Sequence, residues 1–272
     1  MIFSPEKNRI GIVGNGFVGN AVYQNFRDKI GCNVKIFDVD KNRSLNPLEE
    51  VIKQDFIFVC LPTPMRDSGE CDLTILDQFF ENLPGHLIGT FVIKSTVPIG
   101  TTKKYTERHN VIHNPEFLTA RNAVADYANS ERNVVGGSGE LCTEFVQMFE
   151  SFFPQIPSII TTSDESEAIK YFSNTFLAYK VAYFNKIYDV CDTLNMNYNT
   201  VRNGVTADSR IGKSHTKVPG IDNDRGFGGT CFPKDLNSLI NQMESHDINA
   251  DMLTEVWKYN ESIRKVIDWV VT

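Results

Sequence analysis

The sequence predicts a doubly wound α/β domain followed by an all-α domain. Short apolar runs alternate with amphipathic stretches through the first half of the chain. These runs are apolar throughout, as strands covered on both faces are. After Pro154 the texture changes, with neither Gly nor Pro from Asp164 to Leu194. Strand, helix and strand repeated in this way is the pattern of a parallel sheet with helices on its faces.

Arg9–Val13, Asn33–Phe37, Phe56–Leu61, Thr90–Lys94 and Val111–His113 read as strands, each bounded by Gly, Pro, Asn or Asp. Val134–Gly136 adds another strand, and Glu140–Phe153 a helix. Thr162-Ser-Asp-Glu165 has the form of a capping box and opens a helix over Asp164–Leu194. At ~1.5 Å per residue that helix runs to about 45 Å. Between Tyr171 and Phe184 it is apolar on nearly every face, which places it in the middle of a structure. Further helices are expected over Asn199–Gly204, Lys234–Met243 and Ala250–Val271, with a Gly-rich loop from Gly220 to Gly229 among them. The expected division is residues 1–160 and residues 161–272.

Composition excludes several classes. The 272 residues carry 27 basic and 34 acidic side chains, net −7, with 41% apolar and 22% charged residues. That balance is globular, neither disordered nor membrane-spanning. A pI near 5.3 without a basic run argues against nucleic acid as partner. With only the short polar stub Met1–Asn8 before the first strand, no signal peptide is expected. Cys32, Cys60, Cys71, Cys142, Cys191 and Cys231 form no CxxC pair and do not cluster with histidine, so no metal is expected. Thiols in a reducing, cytoplasmic setting are the expectation.

Gly14-Asn-Gly16-Phe17-Val18-Gly19 follows the first strand and opens a helix. Gly14 permits the tight turn, Gly16 lets a diphosphate approach the backbone, and Gly19 lets helix and strand pack closely, the fingerprint of a Rossmann-type dinucleotide site. The diphosphate sits on the helix N-terminus. Asp38 ends the second strand, where a carboxylate accepts from ribose hydroxyls, favouring NAD over NADP; Arg43 nearby runs the other way. Leu61-Pro-Thr63-Pro64 and Ser95-Thr96-Val-Pro-Ile-Gly100 end the third and fourth strands. Each is either a simple Pro turn or, lying where ligands bind in open α/β sheets, part of the site, with the hydroxyls of Thr63 and Thr96 the candidates to face cofactor or substrate.

Glu116, in Asn114-Pro-Glu-Phe117-Leu118, is a general base, a water-positioning group or a solvated loop carboxylate. Lys170 and Asn174 lie one turn apart on a nearly apolar helix. They are either a buried network or a clamp on a substrate oxygen, the lysine stabilising a developing alkoxide. In Gly226-Phe-Gly228-Gly-Thr-Cys231-Phe-Pro-Lys234-Asp235 the glycines lead to a cysteine, and Pro233 suits a first helical turn. Helix N-terminus and Lys234 together lower a thiol pKa. Asp235 orients the lysine or a water. A nicotinamide site oxidises an alcohol to a carbonyl; adding a cysteine nucleophile permits a second oxidation through thiohemiacetal and thioester.

The ordered set GNGFVG, LPTP, STVPIGT, NPEFL, EAIKYFSNTFLAYK, DSRIG and FGGTCFPKD resembles the UDP-glucose 6-dehydrogenase family of NAD-dependent nucleotide-sugar dehydrogenases. The resemblance implies Cys231 as nucleophile, Lys170 and Asn174 on the C6 oxygen, and Asp235 acting with them through a water. It implies Glu116 in thioester hydrolysis and Thr96 holding a catalytic water. Asp38 and Arg43 match residues at the adenosine ribose. Phe117 and Leu118 match backbone lining the sugar pocket, Gly228 belongs to the substrate loop, and Lys234 borders the site. Arg210 matches an arginine that reaches the substrate of a neighbouring subunit, hence a homodimer through the helical domain. Ala120 stands where the family carries a second Glu, and the segment Lys213–Asp224 is longer than usual. The family's nucleotide-holding C-terminal domain has no counterpart before Thr272. Three functions are therefore weighed: a nucleotide-sugar 6-dehydrogenase, an NAD-dependent dehydrogenase of a smaller hydroxyl compound, and an NAD-binding subunit whose partner carries the nucleotide domain.

Overall fold

The computed structural model describes residues 9–30, 34–85 and 87–269. The stub Met1–Asn8, Cys32, Asn33 and Val271 lie outside the described residues. Strands β1 (Ile10–Val13), β2 (Val34–Phe37), β3 (Phe56–Val59), β4 (Thr90–Ile93), β5 (Val111–His113), β6 (Asn133–Gly136) and β7 (Ser158–Thr161) form one sheet in the order β2-β1-β3-β4-β5-β6-β7. Neighbours run parallel except β5 and β6, which meet antiparallel at His113 and Gly136. The helices are α1 (Phe17–Ile30), α2 (Leu48–Val51), α3 (Thr74–Glu81), α4 (Ala123–Ala128), α5 (Gly139–Phe152), α6 (Ser163–Thr193), α7 (Tyr198–Val205), α8 (Phe232–Glu244) and α9 (Asp251–Ile263). The doubly wound α/β class and the helical C-terminal region are those the sequence predicts. β7 carried no sequence signal: it is four residues long, and Ile159 and Ile160 are half exposed at the sheet edge.

The chain divides into two compact units, Met1–Thr63 with Leu73–Lys170, and Pro64–Asp72 with Tyr171–Thr272. In the first unit the apolar strands serve two cores. Ile10, Ile12, Phe56, Phe58, Val92 and Ile112 face one cluster with Phe26 of α1 and Phe145 of α5. The alternate residues Val13, Ile57, Val59, Phe91, Ile93 and Val111 face the other, with Val51 of α2 and Leu76 of α3. Each large side chain buried there contributes about 1.5–3 kcal/mol. The order β2-β1-β3 reverses direction at β1, so the carboxyl ends of β1 and β3 form the crevice where such sheets take ligands.

Helix α6 begins with the expected capping box: Thr162 N donates to Glu165 Oε2 (3.0 Å), and Glu165 N to Thr162 Oγ1 (3.3 Å). Hydrogen bonds from the Thr161 hydroxyl and from Thr162 hold the Glu165 carboxyl down at about 2. One turn on, buried Glu167 accepts from Gly100 N (2.6 Å) and Thr102 N (2.7 Å), fixing the loop after β4. Beneath the same turn lies Gly136, whose added Cβ would stand 2.4 Å from Ser166 Cβ and 2.5 Å from Thr162 O.

In the second unit, Tyr171, Ala178 and Ala182 of α6 pack with Leu236, Leu239 and Ile240 of α8 and with Leu253 and Val256 of α9. Two expectations are corrected. The stretch Tyr171–Phe184 is not covered on all sides, because Phe172 (55% exposed), Phe176 (65%), Tyr179 (38%) and Tyr183 (53%) form an uncovered stripe. The last helix ends at Ile263, well short of Val271, with Arg264 extended. The cause is local: Asp224 Oδ2 accepts from Lys265 N and Val266 N, both at 2.9 Å. Those amides therefore have side-chain acceptors in place of helical carbonyls, and Arg264 is held by Asp222 (2.8 Å) and Asp268 (3.0 Å).

His113 on β5 is fully buried, its Nδ1 2.8 Å from Ser166 Oγ of α6. Burial, opposed by a Ser95 backbone hydrogen bond, pulls its pKa to about 3. Between that value and the ordinary ~6.5 the unfolded chain binds the extra proton. Stability due to His113 is therefore present above pH ~6.5 and lost as pH falls toward 3. Urea titrations across that window should show wild type losing stability faster than His113→Asn; parallel losses would count against this account.

Candidate active site

The Gly-rich loop is built as its spacing predicts. Gly14, at φ +92°, donates its N–H to Phe37 O (2.9 Å), and an added Cβ would stand 2.5 Å from Cys60 O. At Gly19 a Cβ would stand 1.8 Å from Gly14 O. Gly16 differs: a Cβ added there would meet nothing of the protein within 4 Å. A bare backbone facing open space, beside the unpaired N–H groups that begin α1, fits the diphosphate of a dinucleotide. Phe17 is exposed and Val18 partly so at the same helix start. Asp38 Oδ2 accepts from Asn15 N (2.6 Å), so the carboxylate at the end of β2 is tied to the loop. Asn15 Nδ2 in turn donates to Arg43 O (2.7 Å), while the exposed Arg43 guanidinium lies 3.4 Å from Asp40. Asn15 thus ties the loop to Asp38 and to the Arg43 backbone, a link that the glycine pattern concealed.

At the carboxyl ends of β3 and β4, Thr63 Oγ1 donates to Thr96 O (2.9 Å) and Ser95 Oγ to Leu61 O (2.5 Å), which joins the two Pro turns. Thr63 holds the Thr96 backbone. Glu116 is buried, not a solvated loop carboxylate: Oε2 accepts from Leu118 N (2.5 Å) and Oε1 from Lys170 Nζ (3.2 Å). Lys170, also buried, lies 5.2 Å from the Phe117 ring centroid, whose ring also meets the Arg132 guanidinium at 4.2 Å. These residues all belong to the first unit.

In the second unit, Asp235 is 1% exposed in the first turn of α8. Its Oδ2 accepts from Asn174 Nδ2 (2.6 Å), and its Oδ1 lies 2.6 Å from Lys234 Nζ. Burial alone lowers the Lys234 ammonium, but Asp235 outweighs it and holds the pKa above its ordinary value. The lysine's charge is thereby committed to Asp235. Cys231 is the exposed N-cap of α8, its carbonyl accepting from Asp235 N (2.8 Å), with Pro233 in the first turn. Gly228 packs against an ion pair, an added Cβ standing 2.1 Å from Arg264 Nη2. Arg210 is 88% exposed and pairs with Asp208 at 2.6 Å. Lys180 Nζ holds the carbonyl of Ile211 (2.7 Å), steadying that loop. Buried Lys94, Glu167 and His113 were not marked in the sequence; a polar residue at the end of an apolar strand was the available sign for Lys94.

Two family models match the chain. The UDP-glucose/GDP-mannose dehydrogenase family, NAD binding domain, matches residues 46–154, and the central domain of the same family matches residues 164–262. The chain belongs to the UDP-glucose/GDP-mannose dehydrogenase family, and its cofactor is NAD. UDP-glucose 6-dehydrogenase TuaD of Bacillus subtilis (strain 168) is 32% identical, over 97% of this chain and 65% of that protein. The chain thus spans about 65% of that relative's length. A UDP-glucose dehydrogenase from the hyperthermophilic archaeon Pyrobaculum islandicum has a similar fold, with TM-score 0.83 at 24% identity over 95% of this chain and 69% of that one. The 3-hydroxyisobutyrate dehydrogenase of Mycobacterium tuberculosis shares the fold at TM-score 0.74 and 15% identity, over 96% of both chains.

Two glycines separate folding from binding. Gly19→Ala should cost about 1–3 kcal/mol by overpacking, whereas Gly16→Ala should leave the melting temperature unchanged and weaken NAD. Thermal melts and NAD titration by calorimetry check both; normal NAD affinity in Gly16→Ala would remove the loop from the cofactor site.

Proposed function

We propose that the protein oxidises the C6 primary alcohol of a nucleotide sugar of the UDP-glucose type to the carboxylate in two NAD-dependent steps. The observation that carries this reading is Cys231, an exposed thiol at the N-terminus of α8, one turn before an Asp235 hydrogen-bonded to Asn174. When bound at the Gly14–Gly19 loop and Asp38, NAD supplies the hydride acceptor for each oxidation.

Lys170 and Asn174 hold the C6 oxygen as its proton passes through a water to Asp235. The thiolate of Cys231 adds to the resulting aldehyde carbon, forming a C–S bond, and the thiohemiacetal loses a second hydride to become a thioester. A water placed by Thr96 and Glu116 attacks that carbonyl, the C–S bond breaks, and carboxylate and thiol result. Per sugar, one water is consumed, two hydrides leave and three protons are released. Phe117, Leu118 and Gly228 supply the sugar-side surroundings. The Glu116–Lys170 and Asn174–Asp235–Lys234 groups support this division of labour, because each buried charge already has a partner and can be preorganised.

The same reading includes a homodimer. Phe172, Phe176, Tyr179, Tyr183 and Val190 recur at helical spacing along α6, with Leu194 just past its end, and all are more than a third exposed. A second copy of the chain is the proposed cover, and it would bring Arg210 to its partner's substrate.

Purified protein given NAD and a panel of nucleotide sugars, free sugars and hydroxy acids should release two NADH per nucleotide sugar consumed. Cys231→Ser should lower turnover by about a hundredfold or more. One NADH per sugar, or an unaffected serine variant, would discard the thioester route. In sedimentation experiments wild type should run as a dimer and Phe172→Glu/Phe176→Glu as a monomer; an unchanged dimer would place the interface elsewhere.

A further inference from the structure

We propose that Lys94 is a positioning residue for Glu116: its ammonium fixes the Asn114–Glu116 turn and adds a positive charge to that of Lys170 beside the carboxylate. The inference rests on the function proposed above, in which Glu116 receives a proton from the water attacking the thioester.

Lys94 follows β4 and is 4% exposed. Its Nζ donates to Asn114 Oδ1 (2.8 Å) and approaches Pro115 O (3.5 Å). The amide cannot be turned over, because Asn114 Nδ2 already donates to Asn133 Oδ1 (2.8 Å) and Val134 O (2.6 Å). Lys94 therefore grips the two residues immediately before Glu116. It lines one cavity with Asn114, Glu116, Tyr127 and Arg132, and Glu116 is the sole carboxylate among the described residues of that lining.

The groups around the ammonium differ in charge. Burial pushes the Cys60 thiol at the end of β3 up to about 12, and it holds His113 of β5 down at about 3, so both are neutral near pH 7. Tyr127 of α4, its ring centroid 5.6 Å from Nζ, is also raised by burial and neutral. That leaves Lys94 and Lys170 as the cations acting on Glu116, with the Arg132 guanidinium over the Phe117 ring. Lys170 has an ion pair with Glu116 at 3.2 Å, whereas Lys94 is hydrogen-bonded to uncharged oxygens. Burial lowers the Lys94 pKa to about 8, with Cys60 and Glu116 acting in the opposite direction and Lys170 in the same one. Lys94 thus changes charge just above neutrality. Below pH 8 its charge acts on the Glu116 carboxylate; above it, that charge and the charged grip on the turn are lost.

Coupling of two charges is reciprocal, and this permits a test without substrate. In protein carrying 13C-labelled lysine, the Cε resonance lost in Lys94→Met should titrate near pH 8, and Glu116→Gln should lower that midpoint by about one unit. An ordinary lysine midpoint, or one indifferent to Glu116→Gln, would overturn the proposal. With NAD and the nucleotide sugar that wild type oxidises, Lys94→Met should keep the first-turnover burst of NADH while steady-state turnover falls about tenfold. The acyl adduct on Cys231 should then accumulate in intact-mass spectra, and Lys94→Arg should restore turnover and hold it above pH 8. Burst and steady state falling together, or neither falling, would overturn it. Wild type silent toward every nucleotide sugar would instead sink the proposed reaction, while the resonance titration still decides the coupling.

Discussion

A charge can be taken out of water only where partners meet it, and that requirement organises the polar interior of both units. Glu116 faces Lys170 and a backbone amide, Asp235 faces Lys234 and Asn174, and Glu167 takes two amides of the loop after β4. Removing one charge of the Glu116–Lys170 or Asp235–Lys234 pair leaves the other buried without its counter-charge, a loss of several kcal/mol on the scale of buried pairs. Groups held this tightly cannot reorganise cheaply, which is the condition under which fixed charges and dipoles act on a reacting atom. The apolar cores supply the rest: a sheet covered on both faces holds the ends of β3, β4 and β5 in one row, and from those ends Cys60, Lys94 and Glu116 project inward.

Much of this was legible in the sequence. Apolar runs without alternation announced a sheet with two covered faces, and the two clusters that divide Ile12 from Val13 and Phe58 from Val59 are that expectation in atomic form. The capping box was readable because its two residues lie three apart and bond each other. The Gly-rich loop was readable because each glycine answers a separate steric demand. What escaped were features set by residues far apart in the chain. The end of α9 depends on Asp224, about forty positions earlier, so helical periodicity ran on past it. The antiparallel turn of the sheet between β5 and β6 rests on a single register pair. Lys94 read as the last residue of a strand, because only its folded neighbours reveal that, among the described residues, nothing anionic pairs with it directly.

The exposed aromatic stripe of α6 shows the same limit from the other side. Periodicity registered a helix apolar all round, which in a single chain means burial and between chains means a face awaiting cover. Composition alone does not distinguish the two. Ala178 and Ala182 line the covered side and Phe176 and Tyr183 the uncovered one, yet Tyr171 and Phe184 are buried, so residue size did not sort the faces either.

Gly136, packed under the first turn of α6, has a consequence for how this chain tolerates change. With no room for a Cβ there, and with His113 and Gly100 bonded to Ser166 and Glu167, the helix is indexed to the sheet like a screw seated in its thread. Lys170 then keeps its bearing on Glu116 by counting one turn from that seat. Substitutions along the rod leave the count intact. Insertion or loss of one residue between Ser166 and Lys170 swings the lysine by about 100°, so this stretch should drift in composition far more freely than in length.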